Sequence, residues 1–190
     1  MRAKKFLFKT FFFLLLISWL TACTTIPVSQ SDVRTVTIPV TETQVYFSPD
    51  GGCTEAIIEQ IDNAKSEILI QAYSFTSAPI AKALIDAHKR GIKIEAILDK
   101  SNVTGNYSSA TYISNNGIPV FIDAAHAIAH NKIMIIDRET VITGSFNFTK
   151  AAEEKNAKNL LIIKSRELAK TYLENWIKHK GHSYEYKRRQ

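Results

Sequence analysis

Apolar residues fall along this chain in three kinds of run. The first is unbroken: residues 11–20, FFFLLLISWL, follow a basic stretch holding Arg2, Lys4, Lys5 and Lys9. That run is well short of the ~20 residues of a membrane-spanning helix. It is the pattern of an export signal, which stands outside the fold. The second kind recurs at helical spacing. After Thr54, a capping residue, Ile57, Ile58, Ile61 and Ala64 share one face. After Ser77, Ile80, Ala83, Leu84 and Ala87 do the same, and Gly91 ends that helix. Residues 166–180 put Leu168, Tyr172, Leu173 and Trp176 in register, and 107–115 make a further helix closed by Asn116-Gly117. The third kind is short and β-like: 45–47, 67–73, 93–98, 120–122, 133–136, 141–143 and 160–163. Residues 99–106, rich in Ser and Asn, read as a loop.

Strands that alternate with helices predict an α/β fold, with a mixed central β-sheet sandwiched between α-helices. No long internal repeat is present. The organisation expected is a leader over 1–22, a Thr-, Ser-, Val- and Pro-rich tether over 23–43, and one folded domain over 44–190. Leu20-Thr21-Ala22-Cys23 resembles a bacterial lipobox, which implies a lipid-modified Cys23 as the first residue of the mature protein. By that resemblance the protein is exported and held at the periplasmic face or outer membrane by a lipid anchor, the alternative being a soluble secreted form.

Charge changes the picture less than it first suggests. The chain carries +6, but the four basic residues of the leader supply +4, which leaves +2. That is weak support for a nucleic-acid partner. With Cys23 acylated, Cys53 has no partner within the chain, so the domain is held by its core and not by disulfides.

One stretch carries polar groups that local propensity does not ask for: residues 130–149, HNKIMIIDRETVITGSFNFT. His130 is a candidate nucleophile or proton donor. Lys132, two residues on, shares its face if the segment is a strand. Ser145 and Asn147 have the same relation after Gly144. Imidazole, ammonium, hydroxyl and carboxamide together suit a tetrahedral oxyanion, and a phosphate diester better than a carbonyl.

His130-x-Lys132, then Asp137, then Gly144-Ser145-x-Asn147 resembles the signature of the phospholipase D superfamily. Six fixed positions at ~5% each make a chance hit on the order of one in a million. VYFSPDGG, AYSFTSAPIAKALIDAHKRGIKI, LDKSN and GSFNFTKAAE extend the likeness to the small, single-motif bacterial endonucleases of that superfamily. The resemblance implies the phospholipase D/nuclease fold and metal-independent phosphodiester cleavage without a cofactor. It implies a phosphohistidine at His130, phosphate oxygens held by Lys132 and Asn147, and Ser145 on phosphate or setting the loop. Asp137 takes a supporting role, more structural than chemical. Because this chain has one motif where larger members have two, it implies a homodimer whose active site lies across the interface. The expected substrate is nucleic acid, with phospholipid as the alternative, and a non-catalytic nucleic-acid-binding lipoprotein as a third reading.

One departure stands out. Where these nucleases usually carry Asn-x-Glu-Asn, this chain has Asn156-Ala157-Lys158-Asn159. A lysine cannot accept the imidazole proton that the family glutamate accepts. Glu153, Glu154 or another carboxylate is then needed, or His130 is less well activated. His126 and His130 stand four apart, a metal-ligand spacing on a helix, but the segment offers no clear third ligand and leads into a strand, so no metal site is expected. His88, His179 and His182 read as surface residues. Tyr73 and Phe75 read as core or site wall, and Phe146 and Phe148 as core.

Overall fold

The computed structural model describes residues 41–104 and 108–187. The expected leader, the lipobox cysteine Cys23 and most of the tether lie outside the described residues. The elements run β1 (Glu42–Ser48), α1 (Cys53–Asn63), β2 (Glu67–Ala72), α2 (Ala78–Lys89), β3 (Lys93–Asp99), α3 (Ser101–Thr104), α4 (Ala110–Asn115), β4 (Val120–Asp123), β5 (Lys132–Ile136), β6 (Thr140–Gly144), α5 (Lys150–Glu154), β7 (Lys158–Lys164), α6 (Arg166–His182) and β8 (Tyr184–Glu185). The strands form one mixed sheet in the order β1-β7-β6-β5-β2-β3-β4-β8. β2, β3 and β4 are parallel, and β5, β6 and β7 run antiparallel in turn.

The central strands are buried on both faces, which is why they read as continuous apolar runs. β2 is buried at every position. One face carries the larger core, in which Ile57 and Ile61 of α1 and Ile80 and Leu84 of α2 meet Ile68, Ile70, Met134, Ile136 and Ile142 of the sheet. The other face packs Leu69, Ile97, Ile133, Ile135 and Val141 against Ala169 and Trp176 of α6. The period-2 alternation along β5 thus divides its side chains between two cores.

Differences from the sequence reading are local. β1 starts at Glu42, before the apolar run that marked it, because its pairing with β7 holds from Glu42 to Ser48. A helical turn, α3, forms within the expected 99–106 loop, where the Asp99 carboxylate accepts from Ser101 N at 2.9 Å. The expected helix over 107–115 is described from Ala110. α5 and β8 had no periodic signal, being five and two residues long. Cys53 is a buried free thiol at the start of α1. Burial, with the nearby Glu153 carboxylate, pushes its pKa up to about 11.

Candidate active site

Sheet polarity gathers the motif. β2, β3, β4 and β6 end, and β5 and β7 begin, at one edge of the sheet. His130 and Lys132 stand at the start of β5, Ser145 and Asn147 just past the end of β6, Lys158 and Asn159 at the start of β7, and Tyr73 just past β2. Ligand sites of open α/β sheets favour the carboxyl ends of parallel strands.

His130 sits on the loop before β5 and not on the strand itself, and its side chain is exposed. Its ring meets Tyr73 edge to face, with centroids 4.5 Å apart. That loop is pinned on both sides of the histidine. The backbone N–H of Ala129 donates to Asp99 Oδ2 at 2.8 Å. The N–H of Tyr73 donates to Asn131 O at 2.8 Å.

Lys132 is the first residue of β5 and is only 7% exposed. Its Nζ donates to the backbone oxygen of His130 at 2.8 Å and lies 5.3 Å from the centre of the Tyr73 ring. Burial, reinforced by the Lys158 ammonium, lowers its pKa to about 8. No carboxylate faces it among these contacts. A buried cation with a carbonyl and a ring for company is a ready site for an anion.

The Gly-Ser segment has a steric origin. Gly144 has φ 139°, and a Cβ there would meet Asn159 O at 2.4 Å. The same Asn159 oxygen accepts from both Ser145 N and Phe146 N, at 3.0 and 3.1 Å. Ser145 Oγ donates to Asn159 Oδ1 at 2.7 Å and accepts from Asn159 N at 3.0 Å. The serine hydroxyl therefore spends its proton on locking β6 to β7. Of its two expected roles, this geometry serves the loop. Asn159 as its partner was not legible in the sequence. Phe146 and Phe148 are buried on either side of Asn147, and the Phe148 carbonyl accepts from Thr76 N and Ser77 N at 2.9 Å. Asn147 Oδ1 is buried without a hydrogen-bond partner among the described residues.

Asp137 is elsewhere. It follows the far end of β5, about 16 Å along the strand from Lys132 at ~3.3 Å per residue. With Arg138 it forms a turn, both at φ 54°, closed by Glu139 N donating to Ile136 O at 3.0 Å. Its carboxylate accepts from Lys65 N (2.9 Å), Ser66 N and Ser66 Oγ (both 2.8 Å) and Glu67 N (3.1 Å). Burial would raise its pKa; the bonds from Ser66, Lys65 and Glu67 outweigh that and lower it. Its place in the motif is explained by the α1–β2 connection, and its carboxylate does not reach the edge where His130 stands.

The carboxylates expected to replace the family glutamate are engaged otherwise. Glu153 accepts from Gly52 N at 3.1 Å and Thr54 N at 2.7 Å, which anchors the N-terminus of α1. Glu154 pairs with Lys150 at 3.4 Å. Within the described chain the ring of His130 has Tyr73 as its companion and no carboxylate. A cavity of about 510 Å³ opens beside Tyr73, walled by Lys100, Val103, Ala127, Ile128 and Tyr184.

Comparison with known proteins identifies the family and the fold. Residues 57–179, which include the whole motif, match the domain family described as "Cardiolipin synthase, PLD-like domain". A protein named phospholipase D from Rickettsia felis is 49% identical over 135 residues, covering 71% of this chain and 68% of that one. The crystal structure of Nuc from Salmonella typhimurium, a phospholipase D family member, is similar with a TM-score of 0.74 and 42% identity, over 77% of this chain and 99% of that one. NucT from Helicobacter pylori is similar with a TM-score of 0.72 and 25% identity, over 76% and 99%. A family model that matches more than half of the chain, a relative at 49% identity and a shared mixed-sheet fold lead to one conclusion: the chain belongs to the phospholipase D superfamily and is a hydrolase of that superfamily.

Proposed function

We propose that the protein is a metal-independent phosphodiesterase that cuts nucleic acid with little sequence preference, through a phosphohistidine on His130. The observation that carries this reading is the placement of His130, Lys132 and Asn147 at one sheet edge, with the lysine already desolvated. Lys132 takes one non-bridging phosphate oxygen. The carboxamide N–H of Asn147 donates to another. A ring nitrogen of His130 attacks phosphorus in line, and the bond to the leaving oxygen breaks. That oxygen takes its proton from the partner subunit's His130, since one chain supplies one imidazole. Water then gives a proton to that second imidazole and attacks phosphorus, which frees His130. The site is thus completed by a two-fold dimer. Contacts fall on phosphate, in keeping with low sequence preference.

A second reading is hydrolysis of phospholipid head groups. The apolar wall formed by Val103, Ala127 and Ile128 beside Tyr73 favours it, as does the name carried by the Rickettsia relative. The two are separated by incubating the protein with plasmid DNA, and in parallel with phosphatidylcholine vesicles, each in the presence of a chelator. Shortened DNA that requires His130 supports the proposal. Intact DNA with released choline reverses the order. DNA retained on a gel but never cut, at any protein concentration, makes the protein a binder that has lost its chemistry at Lys158.

A further inference from the structure

Three of the chain's five histidines converge on one carboxylate at the end of β4, and none of the three is His130. Asp123, the last residue of β4, is fully buried. Its Oδ2 lies 2.7 Å from His179 Nδ1 and 3.3 Å from His182 Nε2, and its Oδ1 lies 3.1 Å from His126 Nδ1. Ala125 N also donates to Oδ1, at 3.1 Å. The ring centroids form a near-equilateral triangle with sides of 5.0, 5.2 and 5.1 Å. One oxygen or nitrogen from each of the four residues lies within 4.8 Å of all the others. His179 and His182, surface residues by sequence alone, have side chains that are 15% and 33% exposed and turned onto the carboxylate. The segment around His126 offers no clear third metal ligand and leads into a strand. The further ligands come from α6, where His179 and His182, three apart, share a face, and His130 is not among them.

We propose that Asp123, His126, His179 and His182 bind one divalent transition-metal ion of the zinc type, which ties the last turn of α6 to the loop that delivers His130. Three imidazoles and one carboxylate are the donor set of late first-row ions and not of magnesium or calcium. A tetrahedral zinc with ~2.0–2.1 Å bonds needs ligand atoms about 3.3 Å apart. The contraction required falls on His126 and His182, the two more exposed rings, which also provide the way in. The carboxylate alone needs fewer donors than the three rings that surround it. With three neutral imidazoles and one carboxylate, a divalent ion leaves a single positive charge. The role is structural: it adds to the bonds that hold the start of this loop, Lys100 Nζ on His126 O at 3.1 Å and Ala129 N on Asp99 Oδ2 at 2.8 Å.

The test uses the full chain in mild detergent, made without a histidine tag, stripped with chelator and dialysed. Zinc is titrated against a chromophoric competitor, thermal unfolding is followed, and cobalt replaces zinc for visible spectroscopy. The expected result is one ion per chain, the intense visible bands of four-coordinate cobalt, and a Tm rise of about 5–10 °C at a hundredfold excess over Kd. His126→Gln, on an exposed loop where folding is not at stake, and His179→Ala should each weaken binding by at least the ~10–100-fold that outer-shell changes bring. His130→Ala should bind as the parent does, which separates this site from the catalytic reading. A Tm indifferent to zinc, or binding unchanged in His126→Gln and His179→Ala, would leave only a hydrogen-bonded hub and overturn the proposal.

Discussion

Lys132 shows how a single residue can be unfavourable for the fold and suited to the site. Its ammonium is buried, and burial together with Lys158 brings its pKa to about 8. A group that the folded state holds more weakly protonated than the unfolded one makes stability rise with pH. Here that rise spans about pH 8 to the ordinary lysine value near 10.5. Phosphate binding runs the other way, because it needs the charged form. Cleavage at low substrate should therefore fall as pH passes about 8, a decline read from kcat/KM. Lys158→Glu removes the second cation, so the alkaline limb should move up by about one unit, and turnover should increase. An unmoved limb would show that Lys158 does not act on Lys132. Lys132→Met should melt higher than the parent while cutting at least ~10²-fold slower. Asp137 makes the opposite case. Asp137→Ala strands the donors of Lys65, Ser66 and Glu67 and leaves an alanine at φ 54°, which should cost about 2–4 kcal/mol in denaturant melts. Its kcat, measured well below the melting point, should stay near the parent value, since the carboxylate is at the other end of β5.

At the scale of elements, the site is held by short pieces that borrow their order from longer ones. α5 has five residues, yet its Glu153 anchors α1 through Gly52 and Thr54. Glu153→Gln keeps the shape and removes the charge at the helix N-terminus, so a loss of about 1–2 kcal/mol is expected. If instead Glu153→Gln lowered kcat tenfold with unchanged stability, the carboxylate would be serving His130 after all. α6 covers the second core with Trp176, which is 4% exposed and donates through Nε1 to Ile70 O at 2.9 Å. Trp176→Ala should destabilise by about 3–5 kcal/mol. α1 and α6 read plainly in the sequence because both are amphipathic over three or more turns. α5 and β8 did not, because neither is long enough to show a period.

At the scale of the whole molecule, the proposed chemistry turns on one imidazole from each chain, that of His130. If both histidines of a two-fold pair serve one cavity, a subunit carrying His130→Ala disables any pair it joins. Parent and His130→Ala chains, mixed and allowed to reassociate, should lose activity as the square of the parent fraction. A linear decline would place a complete site in each subunit. Sedimentation of the same mixtures reads the oligomeric state directly.

Spacing along the chain was enough to mark the family and a candidate site. His130, Lys132, Gly144, Ser145 and Asn147 are close in sequence, and they flank the adjacent strands β5 and β6. The apolar runs were likewise enough for the α/β class, since burial on both faces leaves an unbroken hydrophobic signal in β2 and β3. What each polar group does with its hydrogen bonds was decided only by the tertiary structure. Asn159 takes the Ser145 proton, the α1–β2 connection takes Asp137, and α1 takes Glu153. The histidines of α6 find Asp123 only because β4 and α6, distant in the chain, end side by side. Partners set by long-range packing leave no local pattern, and periodicity records only which way a side chain faces.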